Sequence, residues 1–376
     1  MLEEQAAVAV PFLDLRVVHE PLLREILSAL EELIDRNEFV IGPTVERFER
    51  AFATFCGTSS CVGVGSGLDA LRLALAAAGI EPGDEVIVPA HTFVATFAAV
   101  SQSGGVPVPV DVSPADYNLD PAAVEAALTQ RTRFLLPVHL YGQLADMRAL
   151  HEIAARNDLV VIEDAAQAHG ATRDGARAGA ASAAACFSFY AGKNLGAMGD
   201  AGAVVTNDEG VAERVRMLRE HGQRRKYHHD AIGWTSRLDA FQAAVLLCKL
   251  PQLDEWNEER RALARAYTER LDGVGDLQLP PVPPGSEPVW HLYVVRTADP
   301  GALATHLGSR RIGTGRHYPQ APHLSLAYAH LGHKRGAFPV TERLAEEVLS
   351  LPIFPGMSGV QLETVVDAVE AFFADG

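Results

Sequence analysis

A chain of 376 residues with 48% hydrophobic and 21% charged side chains has the composition of a globular protein and enough length for a large core. Its formal net charge of -16 argues against nucleic-acid binding, which needs a basic face, but leaves room for a phosphorylated small molecule held by a local nest of donors. No run of about 18 apolar residues is present to span a membrane.

The start, Met1-Leu2-Glu3-Glu4, is acidic and lacks the basic leader of a signal peptide. The cysteines, Cys56, Cys61, Cys186 and Cys248, are scattered in apolar surroundings. They read as reduced core thiols, so a cytoplasmic protein is expected. Cys56 and Cys61 have no second Cys/His pair at ligand spacing, and no metal site is expected.

Residues 20–36 read as an amphipathic helix with Leu22, Leu23, Ile26, Leu27, Leu30, Leu33 and Ile34 on its apolar face. Ile41-Gly42-Pro43 stops it, and Thr44 is the expected cap of a second helix running to Phe55. An alternation follows. Short apolar strands are expected at 61–64, 85–89, 106–110, 134–138, 159–162, 186–189 and 203–206, with helices between most of them. That pattern predicts an α/β fold with a mostly parallel seven-stranded sheet covered by helices on both faces. Such sheets bind ligands at the carboxyl ends of their strands. Ser66-Gly67, Thr92-Phe93, His139, Tyr141, Asp164, Gln167, Ser188 and Lys193 all fall there. Beyond lie a charged helix with a basic, histidine-containing loop at 208–230, an apolar helix at 236–250 and a long charged helix at 253–271. A rigid proline loop at 279–285, a strand at 291–297, a helix at 300–309 and an apolar helix after Ser358 complete a smaller α+β domain. The expected division is 1–250 for the large domain and 251–376 for the connecting helix and the small one.

One stretch stands apart: Cys186-Phe187-Ser188-Phe189-Tyr190-Ala191-Gly192-Lys193-Asn194-Leu195-Gly196. Lys193 is the sole charged side chain between Arg177 and Asp200. A poorly solvated ammonium has a lowered pKa, and the neutral amine attacks carbonyls, so a Schiff-base role is indicated. Taken alone, the loop also fits a lysine whose chain reaches out to water. Asp164, at the end of an apolar strand, suits a carboxylate that keeps a pyridine nitrogen protonated, or the cap of the next helix. Ser66-Gly67, between strand and helix, suits a phosphate cup, to which Ser188 would add a hydroxyl.

Taken together these residues resemble the DegT/DnrJ/StrS family of pyridoxal-phosphate nucleotide-sugar aminotransferases, which have the aspartate aminotransferase fold. The likeness runs through Pro11-Phe12-Leu13-Asp14-Leu15, Gly65-Ser66-Gly67-Leu68-Asp69-Ala70-Leu71, Pro89-Ala90-His91-Thr92-Phe93 and Pro137-Val138-His139-Leu140-Tyr141-Gly142. It continues through Glu163-Asp164-Ala165-Ala166-Gln167-Ala168-His169-Gly170, the lysine loop, His317-Tyr318-Pro319 and Leu349-Ser350-Leu351-Pro352.

The resemblance implies pyridoxal 5'-phosphate as cofactor. Lys193 would form the internal aldimine and shuttle the proton, and Asp164 would pair with the pyridinium nitrogen. Gln167 would meet the phenolic oxygen, Phe93 would stack on the ring, and Ser66, Gly67 and Ser188 would hold the phosphate. The family's Gly-aromatic-Asn-x-Arg motif, supplied by a second subunit, reads Gly233-Trp234-Thr235-Ser236-Arg237 here. Thr235 takes the Asn position with a shorter reach, and a homodimer is implied. Lys193-Asn194-Leu195-Gly196 followed by Gly199-Asp200-Ala201-Gly202 is similar to members that aminate 3-keto sugars on dTDP. The implied reaction is ping-pong transfer from L-glutamate to a dTDP-3-keto-6-deoxyhexose. Tyr190, Lys226, Tyr227, His317 and Tyr318 are candidate substrate contacts. Amination of a 4-keto sugar, aminohydroxybenzoate synthesis and a non-catalytic binding role on the same fold remain alternatives. Intact Lys193, Asp164 and Gln167 speak against the last.

Overall fold

The computed structural model describes residues 10–374; the acidic start lies outside them. Seven short strands form the central sheet: β1 (Ser60–Val64), β2 (Glu85–Pro89), β3 (Val106–Val110), β4 (Thr132–Leu135), β5 (Val160–Asp164), β6 (Ala184–Ser188) and β7 (Gly202–Thr206). Their spatial order is β1-β7-β6-β5-β4-β2-β3. The β2–β3, β2–β4, β4–β5 and β5–β6 pairs are parallel, while β7 runs antiparallel to both β1 and β6. The sheet is therefore mostly parallel with one reversed strand.

Among the described residues, twelve α-helices of seven or more residues accompany these strands. They are α1 (Leu23–Arg36), α2 (Pro43–Cys56), α3 (Gly67–Ala77), α4 (Val94–Gln102), α5 (Pro121–Ala127), α6 (Met147–Asn157), α7 (Glu209–Leu218), α8 (Ala240–Lys249), α9 (Leu253–Leu271), α10 (Pro300–Ser309), α11 (Pro339–Glu347) and α12 (Gly359–Ala374). The two faces of the sheet separate by the two-residue period of a strand. Along β6, Ala184 and Cys186 join a core with Leu71, Leu73 and Phe97 from α3 and α4. Ala185 and Phe187 point the other way, into a core with Phe48 and Phe52 of α2 and Leu246 of α8. Strands buried on both faces are what the continuous apolar runs require.

The smaller C-terminal domain holds an antiparallel pair, β8 (Tyr293–Arg296) with β9 (Val348–Leu351). Tyr267 and Leu271 of α9, Leu303 of α10 and Val365 of α12 pack with it. Val10 joins this core and bridges to Ile312. Strand β9 and helix α11 are absent from the sequence expectations. Val348 to Leu351 is only four residues long and too short to show a period.

Three local expectations change. Gly42, not Thr44, occupies the cap position of α2; Thr44 lies inside its first turn, its N–H donating to Glu38 Oε1 at 2.6 Å. On α1 only Ile26 and Leu33 are buried, while Leu23, Leu27 and Ile34 stay exposed. The basic loop contains a short hairpin, Gln223–Arg225 against His228–His229. The four cysteines are free and buried, and no described helix is long and apolar enough to cross a membrane.

Candidate active site

Six of the seven strands run in one direction, and their carboxyl ends define one edge of the sheet. Reversal of β7 brings its start to that same edge, so the segment from Phe189 to Ala201 is a hairpin rather than a crossover. It is pinned by Phe189 N–H to Ala201 O, Ala197 N–H to Phe189 O and Lys193 N–H to Tyr190 O, each at 2.8 Å. Lys193 is thereby held over the ends of β5 and β6. A parallel crossover needs a dozen or more residues and usually a helix. The absence of a helical period between the two strands is the sequence signal for this reversal.

A cavity of about 570 Å³ opens at this edge. Ser66, Gly67, Phe93, Asp164, Gln167, Ser188, Tyr190, Lys193, His317 and Tyr318 all line it. Thr235, Lys226 and Tyr227 do not. Thr235 is exposed and its hydroxyl lies 3.3 Å from His221 Nε2. Lys226 and Tyr227 sit exposed on the 223–229 hairpin, the ammonium 5.3 Å from the Tyr227 ring.

Lys193 is half-buried in the cavity wall. Burial pushes its ammonium down from 10.5 to about 8, against the opposing pull of the Asp164 carboxylate. Asp164 is 6% exposed. Burial raises its pKa, while the Ala166 N–H, the Thr96 hydroxyl and the Lys193 charge act the other way. Thr96 Oγ1 donates to Oδ2 at 2.9 Å, and Ala166 N–H to Oδ1 at 3.2 Å. Thr92 and Thr96 are four residues apart, with their hydroxyls 2.8 Å from each other. That spacing on a helix start was the one available hint of an Asp164 partner.

The anion nest is built by α3. Ser66 caps it, Oγ accepting from Asp69 N–H at 3.1 Å, an arrangement worth about 1 kcal/mol. The N–H groups of Gly67 and Leu68 belong to the first turn, which has no acceptors within the helix. A Cβ on Gly67 would stand 2.6 Å from the Ser188 Cβ, so glycine lets Ser188 close against the helix start.

A polar web ties the far wall together. Gln167 Nε2 donates to the Tyr318 hydroxyl at 3.0 Å, and its Oε1 accepts from Tyr141 N–H at 2.6 Å. The Tyr141 hydroxyl donates to the His317 carbonyl, so it accepts from His91 Nε2 at 2.8 Å. Tyr141 adopts a positive φ of 59°, a conformation that aims its side chain across this wall. The Phe93 and Tyr318 rings lie 5.4 Å apart at the mouth.

Several contributors were not legible beforehand. Lys249, 1% exposed, donates to Gly196 O at 2.5 Å and meets His19 Nε2 at 3.0 Å, bracing the lysine loop from behind. Asn257 Nδ2 donates to His169 O at 2.8 Å, so its Oδ1 faces Asn194 Nδ2 at 2.9 Å. Asn194 Oδ1 is then the acceptor for His291 Nδ1 at 3.1 Å. Burial and the Lys193 charge hold that imidazole neutral. His291 and Arg260 also line the cavity. Nothing in the spacing of these residues marks them, because they come from segments far apart in the chain.

A buried amine, a buried carboxylate and a helix-start nest around one cavity are the donor set of a pyridoxal-phosphate site. A family model for DegT/DnrJ/EryC1/StrS aminotransferases matches residues 22–370. The chain belongs to that family.

The chain is 52% identical over 360 residues to the dTDP-3-amino-3,4,6-trideoxy-alpha-D-glucose transaminase of Streptomyces venezuelae, covering 96% of this chain and 95% of that protein. Its fold matches the crystal structure of S. venezuelae DesV in complex with a ketimine intermediate, with a TM-score of 0.95 and 52% identity over 96% of this chain and 98% of that one. It also matches Bacillus subtilis NtdA with bound cofactor PMP, with a TM-score of 0.91 and 32% identity over 99% and 87% of the two chains. The protein is thus a transferase of the pyridoxal-phosphate aminotransferase family. Its own residues fit that cofactor. Asp164 offers a carboxylate whose protein partners are two neutral donors, Lys193 offers an amine, and the cradle at Gly67 is one a Cβ would fill.

Proposed function

We propose that this aminotransferase moves an amino group from L-glutamate to C3 of a dTDP-linked 3-keto-6-deoxyhexose, in two alternating half-reactions. The observation that carries the reading is the meeting of Lys193 and Asp164 in one largely apolar cavity. Support for position 3 and for dTDP comes from the name of the S. venezuelae relative and from the letters Asn194 to Gly202. A cavity of about 570 Å³ is in the usual range for a small-molecule site.

Bound pyridoxal phosphate supplies an electron sink for charge on the carbon that gives up its proton. Lys193 and Asp164 would hold it, and Ser66, Gly67 and Ser188 would hold its phosphate. Asp164, kept in place by Thr96 and Ala166, would hold a proton on the pyridine nitrogen. Gln167 would face the phenolic oxygen, and Phe93 would cover the ring. Lys193 Nζ, with a pKa of about 8, exchanges protons readily near neutral pH, so it would take a proton from the donor carbon in one half-reaction and deliver a proton to the sugar carbon in the other. Tyr190, His317 and Tyr318 would contact the sugar nucleotide.

Thr235, Lys226 and Tyr227 fit this reading as parts of the neighbouring subunit's site in a homodimer. Exposed Leu23, Leu27 and Ile34 on α1, with Phe39 and Val40 after it, form an apolar surface of the kind that subunit contact covers. Sedimentation at micromolar concentration is expected to give a dimer, and a monomer there would remove this assignment.

The reaction is tested by incubating the enzyme and L-glutamate with 3-keto and 4-keto dTDP-sugars and identifying each product's ring position. The 3-keto substrate is expected to give a 3-amino sugar. Turnover of the 4-keto isomer alone would overturn the position.

A further inference from the structure

Ser236 is 2% exposed and does not line the cavity, yet its hydroxyl joins two parts of the frame around the anion nest. Oγ accepts from Gly65 N–H at 3.1 Å and donates to Asp69 Oδ2 at 2.7 Å. A hydroxyl has one proton, and here it is committed to Asp69. The Ser236 backbone is itself fixed. Its N–H donates to Arg219 O at 3.0 Å, and Arg219 Nη1 donates to Gly63 O at 2.7 Å and to Glu49 Oε1 at 2.6 Å. Gly63 belongs to β1, the strand that leads into the nest. A Cβ on Gly65 would stand 3.1 Å from Asp69 Oδ2 and 3.4 Å from Ser236 Oγ, so glycine there gives room for the close approach.

Asp69 lies in the first turn of α3, and its N–H donates to Ser66 Oγ at 3.1 Å. The Ser66 proton is thereby left to donate into the cavity. The Ser188 proton is left in the same way, because Ser188 Oγ accepts from Tyr190 N–H at 3.3 Å. A carboxylate at a helix start favours the helix, but beside a bound phosphate it repels the ligand. Both Asp69 oxygens are therefore held by donors. Oδ2 has Ser236, and Oδ1 has Arg72 Nη2 at 2.5 Å. The Arg72 guanidinium in turn lies 4.7 Å from the centre of the Trp234 ring. We infer that Ser236 is a positioning residue for the cofactor phosphate. Through Gly65 and Asp69 it sets the angle at which the Gly67 and Leu68 N–H groups and the Ser66 hydroxyl meet the anion. Without that hydroxyl, Gly65 N–H loses its acceptor and the Asp69 carboxylate is free to swing towards the phosphate.

This inference rests on pyridoxal phosphate as the cofactor in the reading proposed above, and not on either substrate. Full-length protein freed of cofactor is titrated with pyridoxal phosphate and with pyridoxal, following the visible absorbance of the bound ligand. Pyridoxal has the same aldehyde and ring nitrogen but no phosphate, so the ratio of the two affinities isolates the nest. Wild type is expected to prefer pyridoxal phosphate by about 10²-fold or more, as several charge-assisted hydrogen bonds allow. Ser236→Ala should lower that preference by about 5- to 30-fold, entirely through weaker binding of the phosphorylated ligand. An unchanged preference, or equal weakening of both ligands, would overturn the inference, since a residue that only supports packing would not distinguish them. Asp69→Asn and Asp69→Leu are both uncharged, and only the first keeps an oxygen for Ser236. Asp69→Leu is expected to show a preference lower than that of Asp69→Asn by a similar factor. Equal preferences in those two variants would overturn the inference even if Ser236→Ala fails to fold. A wild type with the expected preference but no turnover of L-glutamate or a keto sugar would count against the proposed substrates alone.

Discussion

Lys193→Ala is expected to abolish transamination, by about 10⁴-fold or more, because in the proposed reaction one residue would supply both the nucleophile and the proton carrier. Borohydride should attach the cofactor to the Lys193 peptide of the wild type and to nothing in the variant. Full turnover by the variant would refute the role. The fold should survive, since Nζ has no hydrogen-bond or ion-pair partner among the described residues, and removing it orphans nothing. Stability gives a second reading on cofactor-free protein. The folded pKa of about 8 lies below the unconstrained 10.5. The unfolded chain therefore holds more protons between those values, and wild-type stability should rise with pH across that window. Below pH 8 both states carry the charge, and its burial disfavours the wild type by a constant amount. Lys193→Ala should thus be more stable there by about 1–3 kcal/mol, reduced from the full shift because the amine faces cavity water, with the difference vanishing towards pH 10.5. Denaturant titrations at several pH values measure it. A pH-independent difference would mean that the amine is not desolvated.

Asp164→Asn is expected to lower kcat by about 10²–10⁴-fold, the usual cost of removing one preorganised electrostatic partner. The substitution keeps the shape and the contact with Thr96 but removes the charge that, in the proposed function, would hold a proton on the pyridine nitrogen. It also removes the carboxylate that raises the Lys193 pKa, so that pKa should fall below about 8. Acylation of Lys193 in cofactor-free protein, followed against pH, reads this directly. An unchanged labelling profile would show that the two groups do not interact.

Much of the catalytic edge was legible in the letters. Ser66, Asp164, Ser188 and Lys193 each follow or interrupt an apolar run, and strand ends are where an α/β sheet collects its ligand. The helices with strong period or clear stops, α6, α9 and α10, begin and end where the pattern puts them. Elements without a period of their own escaped. Strand β9 is too short, and α11, which begins at Pro339, packs its Leu344 into the core of the large sheet, a contact no local period records. On α1 the apolar face misled in part. A hydrophobic stripe shows what can be buried, but Leu27 and Ile34 are not covered within one chain.

By itself the sequence determined the sheet class, the edge where chemistry gathers and the amine and carboxylate that face each other across it. Those follow from local properties: apolar runs, strand lengths, and one lysine in an uncharged stretch. Only the tertiary structure decided that β7 reverses, that Tyr141 locks Gln167 to the wall of His317, and that Lys249 braces the loop of Lys193. It alone left Arg260 buried with three carbonyls on one nitrogen and no acid on the others. Whether a charge is paired depends on which distant segments fold against it, and no spacing along a chain records that.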